Sequence, residues 1–257
     1  MNGRVWLDLE PRPGPDNMAI DQTLLDLAAQ EGLCMLRLYR WHPHCLSFGR
    51  HEPALRRYDR AEIERRGLAA VRRPTGGRAV WHARELTYAV AAPAAQFGPL
   101  PTAYRTIHAT IARALIALGA SAELAAPESP QTLDAGACFA RPVGGEVIAN
   151  GRKVVGSAQL REGAAFLQHG SILLDDDQSV VADVMRGGGL AGSEAPLNAL
   201  LPEPVSAATV ARTFHECASR EWAAGWAPVD VAQVTQLVGR SAAHLGRFTS
   251  ESWTWRR

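Results

Sequence analysis

Apolar and polar positions alternate from Arg4 to Leu9, which predicts a strand with one buried face. The period changes over Asp16–Ala29, where Met18, Ile20, Leu24, Leu25 and Leu27 recur at near-helical spacing, with Asp16 as the expected N-cap. Cys34–Trp41 alternates again, although Met35 and Leu36 blur the register. Cys45–Phe48 resumes the pattern after a Pro-containing turn, and the two runs predict a hairpin. A short charged helix over Tyr58–Arg66, ended by Gly67, precedes a strand at Ala69–Arg73. A Pro-Thr-Gly-Gly turn then leads to a strand near Arg84–Ala91. Over Tyr104–Leu118 the apolar residues Ile107, Ile111, Leu115 and Leu118 follow at intervals of four, four and three, an amphipathic helix with Gly119 as its C-cap.

Further on, Ala125–Ala137 reads as loop and contains Pro127 and Pro130. Strands are expected at Glu146–Ile148 and Arg152–Gln159 around an Asn150-Gly151 turn, a strong hairpin signal. Ala165–Leu174 is a strand pair or one long strand, and the chain from Val205 is mostly helical, broken by Gly225 and Pro228. Strands and hairpins interleaved with helices, then helices last, predict one mixed α+β domain over residues 1–257 with a helical C-terminal segment from about 205.

Composition narrows the function. At 257 residues, 47% hydrophobic and 21% charged, the chain is globular and long enough for a full core. Lys and Arg number 27 against 26 Asp and Glu, a net charge of +1, so the basic surplus of a nucleic-acid binder is absent. No apolar run approaches the ~20 residues of a membrane span. Met1–Asp21 carries Asp8, Glu10, Asp16 and Asp21 without an apolar core, unlike a signal peptide, and a cytoplasmic location is expected. Cys34, Cys45, Cys138 and Cys217 form no CxxC pair, which argues against a disulfide framework.

Three segments hold candidate chemistry. In Arg72–His82 the tandem glycines Gly76 and Gly77 permit close backbone approach to a ligand, while Arg72, Arg73, Arg78 and His82 supply charge. Cys138-Phe139 precedes Asn150–Gln159, where Lys153 is a cation that can lower a nearby thiol pKa or act as a base. Gln168-His169-Gly170-Ser171 opens an apolar strand. Taken singly, each of these reads more readily as a turn, a buried Cys beside a solvated Lys, or a structural His. A hydrolase triad of Ser157, His169 and Asp175 lacks a GxSxG elbow. Gly187–Gly192 fits GxGxxG by letter but follows a helical stretch, and no Walker A pattern occurs. His42, His44 and Cys45 have no second pair of ligands for a metal.

Together and in order, RRPTGGRAVWHARELTY, ACF, NGRKVVGSAQ and LQHGSILLD resemble the biotin/lipoate protein ligase and octanoyltransferase superfamily. NMAIDQTLLD and LRLYRWHPHCLSFGR extend the similarity over Arg4–Asp175, with an echo in GRFTSESWTW. Within it the chain is most similar to the cysteine-dependent octanoyltransferases. ATP-dependent ligases read GGG in the glycine turn, whereas Gly76-Gly77-Arg78 gives the TGGRAV form of the transferases. The spacing of fifteen residues from Cys138 to Lys153 is also theirs. Ala83 stands where such transferases usually have Asp, and Ala140–Gly145 lacks their aromatic-containing stretch.

The resemblance implies a biotin/lipoate ligase-like (class II synthetase-like) mixed sheet flanked by helices, and ping-pong acyl transfer. Cys138 takes octanoate from an acyl carrier protein and passes it to the lysine of a lipoyl domain, in glycine cleavage H protein or a 2-oxoacid dehydrogenase E2, with Lys153 assisting. Arg73, Gly76, Gly77, Arg78, His82, Gly156, Ser157, Ala158 and His169 are the implied substrate-binding positions. The resemblance implies no cofactor, metal, nucleic acid or membrane. Three alternatives share the sequence features: an ATP-dependent lipoate ligase, an amidotransferase between lipoyl domains, and a non-catalytic acyl or lipoyl-domain binding protein.

Overall fold

A computed structural model describes residues 2–126, 144–176, 178–188, 194–222 and 225–256; Cys138 falls outside the described residues. The first half of the chain forms β1 (Asn2–Arg12), α1 (Gly14–Gln30), β2 (Cys34–Trp41), β3 (Cys45–Phe48), α2 (Ala54–Arg57), α3 (Arg60–Arg65), β4 (Ala69–Arg72), β5 (Val80–His82), β6 (Glu85–Pro93), α4 (Ala94–Phe97) and α5 (Leu100–Ala117). The second half adds β7 (Ala122–Leu124), β8 (Val147–Ala149), β9 (Arg152–Lys153), β10 (Val155–Glu162), β11 (Ala165–Leu173), α6 (Ser179–Asp183), α7 (Ala207–Glu221), β12 (Gly225–Pro228), α8 (Val231–Phe248) and α9 (Glu251–Thr254).

Six strands make a mixed sheet in the order β10-β11-β6-β2-β1-β12, parallel at both β1 pairings and antiparallel elsewhere. Side-chain alternation sends successive residues to opposite faces. Val5, Leu36, Leu38 and Val90 meet α5 and α7 on one face, whereas Trp6, Met35, Tyr39 and Ala89 meet α1 and α8 on the other. Two smaller sheets, β4-β3-β5 and β7-β8-β9, lie in the connections. The mixed α+β architecture expected from sequence is the one observed.

Local departures have physical causes. β2 and β3 form no hairpin, because β1 and β6 occupy both edges of β2; β3 pairs instead with β4 and β5. Pro13, not Asp16, caps α1, and Asp16 sits in the first turn, where its charge suits the helix N-terminus. The segment around Gly225 and Pro228 is an added strand on the free edge of β1, and Trp226 lies over Gly3, where a Cβ would come within 2.7 Å of the indole. The Asn150-Gly151 turn forms as expected, with φ of 50° and 72°, both in the left-handed region a tight primed turn requires.

The centre of the fold is a buried ionic cluster. The Arg37 guanidinium donates to Asp8 at 2.7 and 3.0 Å, to Asp21 at 3.0 Å and to the Asn17 side chain at 2.7 Å. Arg37 and Asp21 are fully buried. One side chain thus joins β1, β2 and α1. Replacing Arg37 with Leu leaves the buried Asp21 without its guanidinium, while Asp8 keeps Arg12, and is expected to cost roughly 3–5 kcal/mol of stability, read from urea unfolding. A loss below about 1 kcal/mol would show that the cluster does not hold these elements together.

Candidate active site

A narrow pocket lies between the main sheet and the small sheet carrying β5. Met18, Tyr39, Trp41, Val80 and glycines of β10 and β11 give it apolar walls, and Ser47, Arg73, His82, Ser157, His169 and Ser171 place polar atoms among them. Among the expected site residues, Arg73, His82, Gly156, Ser157, Ala158 and His169 line this space.

Gly76, Gly77 and Arg78 do not line it. They form the loop that holds Arg73 in place. The Arg73 guanidinium donates to the Gly76 carbonyl at 2.8 and 3.1 Å, to Arg78 O at 2.6 Å and to Ser47 O at 2.8 Å. Gly77 has φ of 86°, and a Cβ there would sit 2.8 Å from Nη2 of Arg73. The opposing Gly49 is equally constrained, since its Cβ would fall 1.9 Å from Gly77 O. Both glycines are therefore packing requirements of the loop.

His169 ties this loop to the ionic cluster. Its Nδ1 is 2.9 Å from Asp21 Oδ2, and its Nε2 is 2.6 Å from the Thr75 hydroxyl. His82 stacks on Trp41 with centroids 4.0 Å apart, and its Nε2 is 2.8 Å from Ser47 Oγ. Burial lowers the His82 pKa below the usual imidazole value, against the pull of nearby Glu85, so its neutral form is favoured.

A second polar chain runs away from the cavity. Ser157 Oγ is 2.7 Å from Tyr88 Oη and 2.8 Å from His108 Nε2, and His108 Nδ1 is 2.7 Å from the Gly145 carbonyl. A carbonyl only accepts, so Nδ1 carries the proton and Nε2 accepts from Ser157. Burial, reinforced by the Lys153 charge, pushes the His108 pKa from 6.5 to about 4. Next along, Glu146 accepts from the buried Lys153 ammonium at 2.6 Å. Lys153 therefore sits beyond the cavity wall, joined to it through Glu146, Gly145, His108 and Ser157. Arg152 projects to the exposed face of the same strand, as alternation requires.

The triad grouping does not form. Ser157 serves His108 and Tyr88, His169 serves Asp21 and Thr75, and Asp175 accepts from Asn198 at 2.7 Å. Gly187 and Gly188 lie after α6, with the rest of that GxGxxG match outside the described residues. Sequence reasoning missed Asp21, Glu85, His108 and Glu146. A signal existed for two of them: Asp21 and His108 are polar residues on the apolar faces of predicted helices, beside Ile20 and Ile107.

A family model of the lipoyl protein ligase A/B catalytic domain matches residues 13–217. The chain belongs to that family. Octanoyltransferase LipM of Exiguobacterium sp. is 33% identical over 279 residues, spanning 100% of both chains. Octanoyltransferase LipM of Kyrpidia tusciae is 42% identical over 180 residues, 66% of this chain and 65% of that one. Among solved structures, a lipoate-protein ligase A bound with ATP superposes with a TM-score of 0.80 at 20% identity, covering 99% of each chain. A bi-partite lipoate protein ligase of Thermoplasma acidophilum gives 0.78 at 19% identity, covering 99% of this chain and 96% of that one. These two likenesses establish that the lipoyl ligase fold is shared.

Because the folded state holds His108 neutral, the unfolded chain binds an extra proton as pH falls from 6.5 to about 4. Stability is therefore expected to fall through that window, with His82 acting in the same direction. His108→Gln should flatten the slope in urea unfolding measured across a pH series. An unchanged slope would mean that His108 titrates normally in the folded protein.

Proposed function

We propose that the chain transfers an octanoyl group from acyl carrier protein to the lysine of a lipoyl domain through a thioester on Cys138. The acceptor is glycine cleavage H protein or a 2-oxoacid dehydrogenase E2, and the reaction serves lipoate assembly in the cytoplasm. The relatives named octanoyltransferase support the reaction class. One structural observation supports the residues. The segment that carries Cys138 leaves and re-enters the described fold where Ala125 and Gly145–Glu146 exchange backbone hydrogen bonds of 2.8 Å. Glu146 at that junction is the residue that holds the Lys153 ammonium. Cys138 is seven residues from Gly145, a reach of at most about 25 Å.

The character of two of the other thiols supports the same choice. Cys34, Cys45 and Cys217 are buried and free, and burial raises the pKa of Cys34 to about 12 and lifts Cys45 further. Neither Cys34 nor Cys45 supplies a thiolate at neutral pH.

In the proposed cycle the Cys138 thiolate attacks the donor thioester carbonyl, and the donor thiolate leaves. Lys153 stabilises the attacking thiolate and then protonates the departing one, becoming a neutral amine. The acceptor lysine attacks the acyl-enzyme, Cys138 leaves as thiolate, and Lys153 recovers its proton from the attacking amine. β10 is an edge strand of the main sheet, so alternate N–H groups along it point away from β11. Among them, those of Gly156–Ala158 are the candidates for holding the oxyanion. The apolar cavity is the space for the acyl chain.

Octanoyl-acyl carrier protein without ATP should add one octanoyl mass to the enzyme, mapped to Cys138 and released by hydroxylamine. Cys138→Ala should abolish it. An adduct on another cysteine, or transfer only with ATP, would overturn the reading in favour of other chemistry. Lys153→Arg keeps a charge but cannot give up its proton. It should retain thiolate alkylation while losing roughly 10²–10⁴-fold in transfer to the acceptor amine. Transfer at the native rate would leave Lys153 as a fixed charge only.

A further inference from the structure

The GRFTSESWTW segment has no part in the chemistry above, yet it packs directly behind the glycine loop. Trp253 Nε1 donates to Arg72 O at 2.9 Å, and Arg72 Nε donates back to Trp253 O at 2.8 Å. The Trp253 ring carries two guanidiniums, Arg247 at 3.8 Å and Arg256 at 4.9 Å from its centroid. Neither has a carboxylate within ion-pair distance among the described residues. Arg50 belongs to the same face: its N–H donates to Thr75 O at 2.7 Å, and its carbonyl accepts from Arg72 at 3.3 Å. Its side chain is only 30% exposed and reaches Glu162 at 3.3 Å, a carboxylate that is itself 40% exposed.

Three partly exposed arginines are thus concentrated on a chain whose net charge is +1. Partial burial first, and then repulsion from Arg50 and Arg256, disfavour the Arg247 charge, while Glu162 and Asp26 oppose that repulsion. The fold maintains this concentration with an indole platform. Stacking keeps a guanidinium flat and oriented, which suits bidentate capture of carboxylates.

The position of this face selects the partner. It lies on the outer side of the loop whose Arg73 lines the cavity. A donor must insert its acyl chain into that cavity while still joined to it, so the body of the donor rests against the loop. The carrier holds its thioester on a long flexible arm, so its body can dock to one side of the reacting carbonyl, whereas the short acceptor lysine keeps its domain directly over that carbonyl. We infer that Arg50, Arg247 and Arg256, presented on Trp253, dock an acidic surface of the carrier protein that brings the acyl thioester. This inference rests on the acyl-transfer reading. It adds a protein contact outside the cavity, made through carboxylates that compete with Glu162 for Arg50.

The test is steady-state transfer from octanoyl-acyl carrier protein and from octanoyl-pantetheine, at low and high salt. It uses the wild type, Arg50→Gln and the double variant Arg247→Gln/Arg256→Gln, each checked for folding by thermal melting. Both variants should raise KM for the carrier-bound donor, the double one roughly ten-fold. Both should lose most of its salt dependence, while kcat and the rate with octanoyl-pantetheine stay unchanged. Restoring charge with Arg247→Lys/Arg256→Lys should recover part of the loss. Equal losses on both donors would overturn the inference in favour of a structural role for the arginines. A raised KM for the lipoyl-domain acceptor alone would move the docked partner. Competition by carrier bearing its phosphopantetheine arm, with none from the arm-free carrier, would show that the phosphate is read and not the protein surface. Wild-type transfer in the same assay stands as the separate check on the acyl-transfer reading.

Discussion

The Arg37 guanidinium is the one interaction on which the rest of this structure depends. It sits where β1, β2 and α1 meet and is held by Asp8, Asp21 and Asn17. Charge there is balanced, because Arg12 also pairs with Asp8 at 2.9 Å. A buried ion pair contributes little net stability over an apolar substitute, but breaking one is costly. Its value here is geometric. Asp21 also accepts from Tyr39 at 2.8 Å and meets His169, so the cluster fixes the floor of the cavity and, through Thr75, its glycine loop.

That loop is built by two adjacent arginines that strand alternation turns in opposite directions. Arg72 faces outward into a set of backbone carbonyls from Gly49, Glu52, Trp253 and Thr254. Arg73 faces inward, wrapped by the loop it supports. The inner arginine shapes the cavity, and the outer one anchors the C-terminal segment. Both rely on the close approach of Gly49 to Gly77, a contact that no side chain at Gly49 would permit.

Between cavity and Lys153 runs a chain of directed hydrogen bonds, kept in register by burial. His108 stays neutral because it is desolvated, and a neutral ring with its proton on Nδ1 can hold Gly145 and Ser157 at once. The cavity wall and the Glu146–Lys153 pair are therefore parts of one unit, although they lie on different strands.

The sequence by itself determined the local elements and the family. Periodicity placed α1, β2 and α5, the Asn150-Gly151 pair set its turn, and the ordered motifs carried the resemblance that the family match bears out. The same motifs singled out Arg73, His82, Ser157 and His169, all of which meet at the cavity. Tertiary structure alone decided the pairing of β3, the edge strand around Trp226, and the partnerships of Asp21, Arg72, His108 and Glu146. The physical reason is range. Side-chain period reports which face of an element is buried. The strand edge left open, or the charge that reaches a buried Asp from many residues away, is fixed only when the whole chain has packed.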